Sequence, residues 1–247
     1  MNPAGTTRTR VTRNHAFIAP DSHVTTSLPG WENTKGVILI SPQMGARFQQ
    51  YIAHLGAESV SRGAPAGVER FIYVLDGQVE LNLNKKKSAL SMGHFAFIPA
   101  DVPHEISTLQ AAKILVFEKK YQGSGVAKPQ AVIGRESDVP EAPFLGDPDA
   151  VLKVLLPEEL AFDWAINVFT YKPGATLPFV EVHVMEHGLL MLEGQGVYRL
   201  DEQWYPIQAG DVIWMGPYCA QWFVASGKTP SRYIYYKDMH RDAMENS

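Results

Sequence analysis

Four side chains in the second half of the chain could together hold a cation. Glu181 and His183 stand two residues apart in the run Glu181-Val-His-Val-Met-Glu-His187, and Gln221 follows a Gly216-Pro217 turn. In an extended strand, residues two apart project to the same face, so the Glu181 carboxylate and the His183 imidazole share a side. His187 lies four residues further on, where a chain turning into its next strand brings it back to that side. Two imidazoles, one carboxylate and one carboxamide oxygen make a hard-to-borderline N/O donor set. Such a set suits Mn(II) or Fe(II), with Zn, Ni or Co able to enter it in a purified sample. One histidine in a strand is more often a hydrogen-bonded core residue than a ligand. Glu181, His183 and His187 together, at strand parity in an apolar context, read differently. A buried carboxylate without a partner is costly, and a bound cation offsets that cost.

The elements that must position these groups are strands. Short β-branched and aromatic runs, separated by Gly, Pro, Asp or Asn, cover most of the chain, the pattern of an all-β sandwich or barrel. In Val79-Glu-Leu-Asn-Leu83 apolar and polar residues alternate strictly, as in a strand with one wet face. Helical character is confined to a short stretch around Pro157-Glu-Glu-Leu160. The chain also repeats itself. Gly77 and Gly194 are 117 positions apart, and the same offset joins Gly93 to Gly210, Val116 to Tyr233 and Lys120 to Lys237. Two copies of one β-domain are expected, with turn-rich sequence between them at Tyr121 to Pro148.

The repeat supplies an internal control. Glu181, His183, His187 and Gln221 fall on Ala64, Ala66, Arg70 and His104 of the first copy. Two of those side chains cannot ligate and Arg70 repels a metal, so the first copy is expected to be metal-free, with His104 a satisfied barrel histidine. The offset also maps Leu81, on the apolar face of its strand, to Tyr198, which should therefore face the barrel interior. Tyr233, Tyr235 and Lys237 share one face of a late strand. A lysine pointing into a barrel is costly unless an anion meets it; at a strand end it reaches solvent instead. By parity Glu186 points away from Glu181 and His183, in a structural role, while Trp222 is placed to close one wall of the pocket. Lys85-Lys-Lys87 reads as a solvated hairpin turn.

Composition excludes several other functions. The 247 residues are 45% hydrophobic and 19% charged, enough for a sizeable core. With 22 basic and 26 acidic residues the net charge is -4, so no nucleic-acid partner is expected. A single cysteine, Cys219, forbids an intrachain disulfide framework and a thiolate zinc cage. No apolar run is long enough for a membrane span, and the polar start of the chain has no signal-peptide core. A cytoplasmic protein without a membrane partner is the expectation.

The ordered glycines and donors resemble the two cupin motifs, G-x5-HxH-x3,4-E-x6-G and G-x5-PxG-x2-H, with the ligand order permuted to Glu181, His183, His187 and Gln221. That set closely resembles the (S)-ureidoglycine aminohydrolase family of bicupins. Supporting runs are EVHVMEHG (181–188), LEGQGVYRLD (192–201), GDVIWMGPYCAQ (210–221) and YIYYKDMHRD (233–242). The likeness covers almost the whole chain and is most specific in residues 173–242. It implies an all-β bicupin, two tandem jelly-roll-like cupin barrels with few short helices. Its parts would be an N-terminal arm (1–30), a metal-free N-terminal cupin (31–122), a linker (123–149) and a C-terminal cupin with the metal site (150–247). The implied activity is a Mn(II)-dependent hydrolase that turns (S)-ureidoglycine and water into (S)-ureidoglycolate and ammonia, a step of allantoin and purine catabolism. Tyr198, Tyr233 and Lys237 would then contact a small anionic ureido substrate, and chains would pair into a homo-oligomer. The competing readings are an Fe(II) cupin dioxygenase acting on a small organic acid, and a non-enzymatic storage or sugar-binding bicupin.

Overall fold

The structure, a computed structural model, describes residues 6–242 and Met244. Strands account for nearly all regular structure, and the only helical turns among the described residues are three short 3-10 turns, Pro20–Ser22, Pro42–Met44 and Glu136–Asp138. None is long and apolar enough to cross a membrane. The stretch at 157–160 is not helical: it makes a single turn, closed by the Phe162 amide on the Glu159 carbonyl at 2.9 Å. One turn is too little to recover the cost of helix nucleation.

The described residues form two compact units. One comprises Val24–Val139 with Glu158–Asp163. Its curled sheet runs in the order Val132–Arg135, His94–Ile98, Val68–Asp76, Ala112–Lys120, Gln49–Arg62, His104–Thr108, Gln78–Leu83, Lys86–Ser91, with Trp31–Ile40 also on Gln49–Arg62. The alternation read in the sequence is borne out: Val79 and Leu81 are buried in the core with Tyr51, Val74, Ile106 and Val116, while Gln78 and Glu80 face outward. Lys86–Ser91 folds back on Gln78–Leu83 through the turn Asn84-Lys85, so the lysine run straddles a hairpin.

The second unit gathers the described residues up to His23, Pro140–Pro157 and the described residues from Trp164 on. Its larger sheet runs Arg10–Val11, His15–Ile18, Val212–Met215, His187–Glu193, Ser231–Asp238, Trp164–Tyr171, Asp147–Val154, Glu141–Phe144. A smaller sheet of Gln203–Gln208, Gln195–Leu200 and Gln221–Ser226 faces an aromatic core that includes Phe17, Phe169, Tyr171, Tyr198, Phe223 and Tyr233. Residues His15–Ile18, within the stretch expected as an arm, are buried strand here, paired with Val212–Met215. Val132–Arg135 and Glu141–Phe144, within the stretch expected as a linker, are strands as well.

The repeated glycines have a shared physical cause. Gly77 and Gly194 both adopt left-handed backbone, with φ of 74° and 75°. A Cβ would lie 2.7 Å from the Ala111 carbonyl oxygen at Gly77, and 2.5 Å from that of Pro230 at Gly194. Only glycine fits a turn pressed this closely onto a neighbouring strand.

Candidate metal centre

The turn at Gly216-Pro217 and the segment before His187 are laced together by backbone. Glu181 and Gln221 exchange two amide–carbonyl hydrogen bonds, both 2.9 Å, and the Tyr218 amide donates to the His183 carbonyl at 2.8 Å. Tyr218 holds a left-handed φ of 62°, strain that a bulky residue keeps only where its surroundings enforce it. His187 opens the strand His187–Glu193, between Met215 on one side and Lys237 on the other. Residues 40 positions apart, Glu181 and Gln221, thus come to one spot through an isolated bridge; the strand expected over Glu181 and His183 is instead irregular backbone that runs from Glu181 to His187.

The side chains form a directed chain of hydrogen bonds. His183 Nδ1–H donates to the Met185 carbonyl at 3.1 Å, which leaves Nε2 as an acceptor. The Gln221 Nε2 amide donates to His183 Nε2 at 3.0 Å, and Gln221 Oε1 accepts from His187 Nδ1–H at 3.2 Å. The Glu181 Oε2 atom stands 3.8 Å from His183 Nε2, and the two imidazole centroids are 4.9 Å apart. At the end of the chain, His187 Nε2 is buried with no hydrogen-bond partner. Burial first, and then the nearby His183 and Lys237, hold the His187 pKa well below the usual histidine value, so its imidazole is neutral. A neutral imidazole with an orphaned lone pair, beside a carboxylate and a carboxamide, is what a divalent ion requires. The residues present fit such an ion.

All four donors line one cavity of about 110 Å³, together with Tyr198, Tyr233, Tyr235 and Lys237. The remaining wall is apolar: Phe144, Phe169, Leu177, Leu189 and Met215. Every residue singled out in the sequence for ligation or substrate contact therefore sits in the same pocket. Tyr171 hydroxyl lies 3.1 Å from that of Tyr233, and the Asn167 amide donates to the Tyr235 hydroxyl at 3.0 Å. Burial above all pushes the Tyr198 and Tyr233 phenols up, Glu181 adding to the effect at Tyr198 and Tyr171 at Tyr233, so both stay protonated donors.

Several neighbours were not evident from sequence. Tyr171 and Asn167 lie on Trp164–Tyr171 with the parity of the buried Phe169, a signal open to the same alternation argument that found Tyr198. Phe144 enters from a stretch whose prolines read only as linker. Glu186 is structural, as expected, although the backbone there is not the strand that the parity argument assumed: it is buried, and its carboxylate accepts the Trp214 indole N–H at 2.7 Å. Trp222 is not a pocket wall. Its indole N–H donates to the Leu177 carbonyl at 2.7 Å, so it props the segment that carries Leu177 and lies beside the cavity lining rather than in it. Of the basic hairpin, Lys87 pairs with Glu80 at 2.8 Å.

The first copy of the repeat is built differently at the same positions. Arg70 is 3% exposed, donates from Nε to Glu118 at 2.7 Å, and from Nη1 to Ser61 and to His104 Nε2, the latter at 3.1 Å. His104 Nδ1–H donates to the Val102 carbonyl at 2.8 Å. A guanidinium thus faces the histidine from the position that His187 holds in the second copy.

A second donor group lies elsewhere in the C-terminal unit. Donor atoms of His15, Asp201 and Cys219 fall within 4.8 Å of one another. Their capacity is already committed within the protein. His15 Nε2 meets the Tyr205 hydroxyl at 2.9 Å, Asp201 accepts from the Asn14 side chain and the Ala220 amide, and burial pushes the Cys219 thiol up to about 12. The group ties the strand His15–Ile18 to the 216–221 turn.

Two β-barrel units with a cation-ready pocket in the second define the protein as a bicupin. The cupin domain family model matches residues 65–118 and 167–236. The chain is 41% identical over 243 residues to the (S)-ureidoglycine aminohydrolase of Arabidopsis thaliana, a match covering 97% of this chain and 80% of that one. The (S)-ureidoglycine aminohydrolase of Escherichia coli is 36% identical over 236 residues, covering 93% and 90%. Among solved structures, the putative glyoxylate-induced protein of Pseudomonas aeruginosa superimposes with a TM-score of 0.88 at 30% identity, covering 96% of this chain and 93% of that one. The chain belongs to the cupin superfamily and, within it, to the family of (S)-ureidoglycine aminohydrolases.

Proposed function

We propose that this chain is a Mn(II)-dependent hydrolase that converts (S)-ureidoglycine and water into (S)-ureidoglycolate and ammonia, in allantoin and purine catabolism. The observation that carries the proposal is one small cavity in which four cation donors meet two protonated phenols and a lysine, in a chain of this family. In the reaction the bond from the central carbon to its amine breaks, a bond to the oxygen of water forms, one water proton leaves with the amine as ammonia, and the other stays on the new hydroxyl. Glu181, His183, His187 and Gln221 would hold the ion, which when bound supplies Lewis acidity and an acidified water.

The remaining residues handle the substrate. Lys237, across the strand pair from His187, pairs with the substrate carboxylate and so offsets the burial of both charges. Tyr198 and Tyr233 donate to the ureido oxygen, and their raised pKa values keep those protons in place across the physiological range. The aromatic and aliphatic wall keeps bulk water from the reacting carbon, which strengthens each of these contacts. The N-terminal barrel takes no metal in this reading, since the Arg70 guanidinium supplies the cationic partner there. The substrate is the only small-molecule partner proposed, and self-association the only protein contact, to be checked by solution mass.

The test is to time ammonia release from freshly generated (S)-ureidoglycine by Mn-loaded protein, with the spontaneous decay subtracted. Release that disappears on chelation, returns with Mn(II), and falls by at least about 100-fold in Glu181→Ala supports the proposal; loss of an outer partner of a ligand alone costs about 10- to 100-fold, and loss of the ligand itself is expected to cost no less. Ammonia release unaffected by chelation would overturn the metal dependence. Oxygen uptake on a small acid in place of ammonia release would replace the hydrolase with a dioxygenase.

A further inference from the structure

Phe144 is the one cavity-lining residue contributed by the strand Glu141–Phe144, at the edge of the larger sheet. It is the last residue before a tight hairpin turn, in which Leu145 and Gly146 adopt left-handed φ values of 51° and 87°. The register slips between Pro143 and Phe144, so that Phe144 pairs with Asp147 rather than continuing the ladder. A bulge of this kind re-aims a side chain. Here the Phe144 ring stands edge-on to Phe169, with centroids 4.9 Å apart and an interplanar angle of 84°. Phe169 is in turn packed on Tyr171, Tyr233 and Tyr235 at 5.0, 5.6 and 5.7 Å. The ring is thus braced by an aromatic stack that leads directly to a proposed substrate contact, Tyr233.

The cavity is small. Its 110 Å³ is well below the roughly 300–1,000 Å³ of an ordinary small-molecule pocket. Its charged and hydrogen-bonding groups are enough to engage a carboxylate and a ureido group, and the surface left over is apolar and stiff. We propose that Phe144, with Leu177 beside it in the wall, is the specificity-determining residue that limits what the central carbon can carry. A carbon bearing hydrogen fits; a carbon bearing a branched alkyl group meets the Phe144 ring. The inference rests on the ureido-acid reading of the pocket given above.

N-carbamoylglycine and N-carbamoylvaline share the carboxylate and ureido groups and differ only in the substituent on that carbon. Calorimetric binding of each to the Mn-loaded protein reads the limit directly. The wild-type protein is expected to bind N-carbamoylglycine and to reject N-carbamoylvaline. Phe144→Ala is expected to shift the affinity ratio toward N-carbamoylvaline by at least about 10-fold, the smaller end of what one apolar contact in a pocket discriminates. Phe144→Leu, which keeps more of the volume, should shift it less, and serves in place of the alanine variant if that one does not fold. Equal wild-type affinity for the two ligands, or an unchanged ratio in both variants, overturns the proposal while ammonia release from (S)-ureidoglycine stands. Failure of the wild-type protein to bind either ligand, with no ammonia release, overturns the ureido-acid reading itself and this inference with it.

Discussion

The buried His187 Nε2 atom concentrates the chemistry of this protein at the level of single residues. Its other ring nitrogen donates to Gln221 Oε1, and the Gln221 amide donates to His183 Nε2, so the donors are held against one another, and an ion ligated by His183 Nε2 would displace the second contact. The outer partner that orients a ligand is the Met185 carbonyl, which takes the His183 Nδ1 proton and leaves Nε2 as the ligating atom. The phenols have a separate task. Tyr233 touches the hydroxyl of Tyr171 and shares the cavity with the donors, so Tyr233→Phe removes one donor without removing the ring. If the Tyr233 hydroxyl binds a charged or polarised substrate oxygen, kcat/KM should fall by about 10- to 100-fold, the equivalent of one hydrogen bond to such a group. Retention of metal by the same variant, measured on the purified protein, separates loss of substrate contact from loss of the centre. The residue types of the proposed donor set were legible in the sequence, but the strand expected to carry Glu181 and His183 is an isolated bridge at Glu181 followed by irregular backbone up to His187, so parity did not bring them together. The role of Tyr171 was not legible, since it depends on which strand lies beside Ser231–Asp238.

At the level of strands and turns, the glycine at the start of each repeated hairpin is the element most sensitive to change. Gly194→Ala places a Cβ 2.5 Å from a backbone carbonyl at a φ of 75°. It should destabilise the C-terminal unit by about 1–3 kcal/mol, the range for a strained non-glycine conformation, read as a lower urea midpoint. The N-terminal barrel offers a pH-dependent counterpart. Burial, and then the Arg70 charge, press the His104 pKa from its ordinary 6.5 down to about 4. Between those values the unfolded chain binds a proton that the folded barrel refuses, so stability rises with pH. The contribution is complete above about pH 6.5 and is lost as the pH falls toward 4. Replacement of His104 by Gln should therefore flatten the unfolding midpoint across that window, while leaving the Arg70–Glu118 pair at 2.6 Å in place. A midpoint that keeps its wild-type slope would show that other groups govern the acid limb.

On the scale of the whole molecule, the C-terminal unit is completed by the start of the chain. His15–Ile18 covers the edge of Val212–Met215, Phe17 stacks on Tyr205 at 5.3 Å, and Arg8 pairs with the buried Asp211 at 2.6 Å. Deletion of residues 1–19 leaves every pocket residue in the chain, yet it bares a strand edge and removes a core phenylalanine. Removal of such a ring alone costs about 3–5 kcal/mol. The truncated protein should melt earlier and lose ammonia release along with metal binding. Unchanged melting and turnover would show that the site-bearing unit stands without the N-terminal strand.

Much of this architecture is determined by the sequence alone. Strand alternation, the 117-residue repeat and the residue types of the proposed donor set can be read along the chain from periodicity and residue chemistry. The repeat also puts Ala64, Ala66 and Arg70 where the second copy has Glu181, His183 and His187, which is the ground for expecting no metal there. Tertiary structure alone decided three things. It placed His15–Ile18 in the sheet of the C-terminal unit, it turned the stretch at 141–144, read as linker, into a strand that brings Phe144 to the pocket, and it set Trp222 on the Leu177 carbonyl rather than in the wall. Each depends on which strand edge is open and which side of the sheet has room for a ring. Those are properties of pairing between residues far apart in the chain, and no local pattern encodes them.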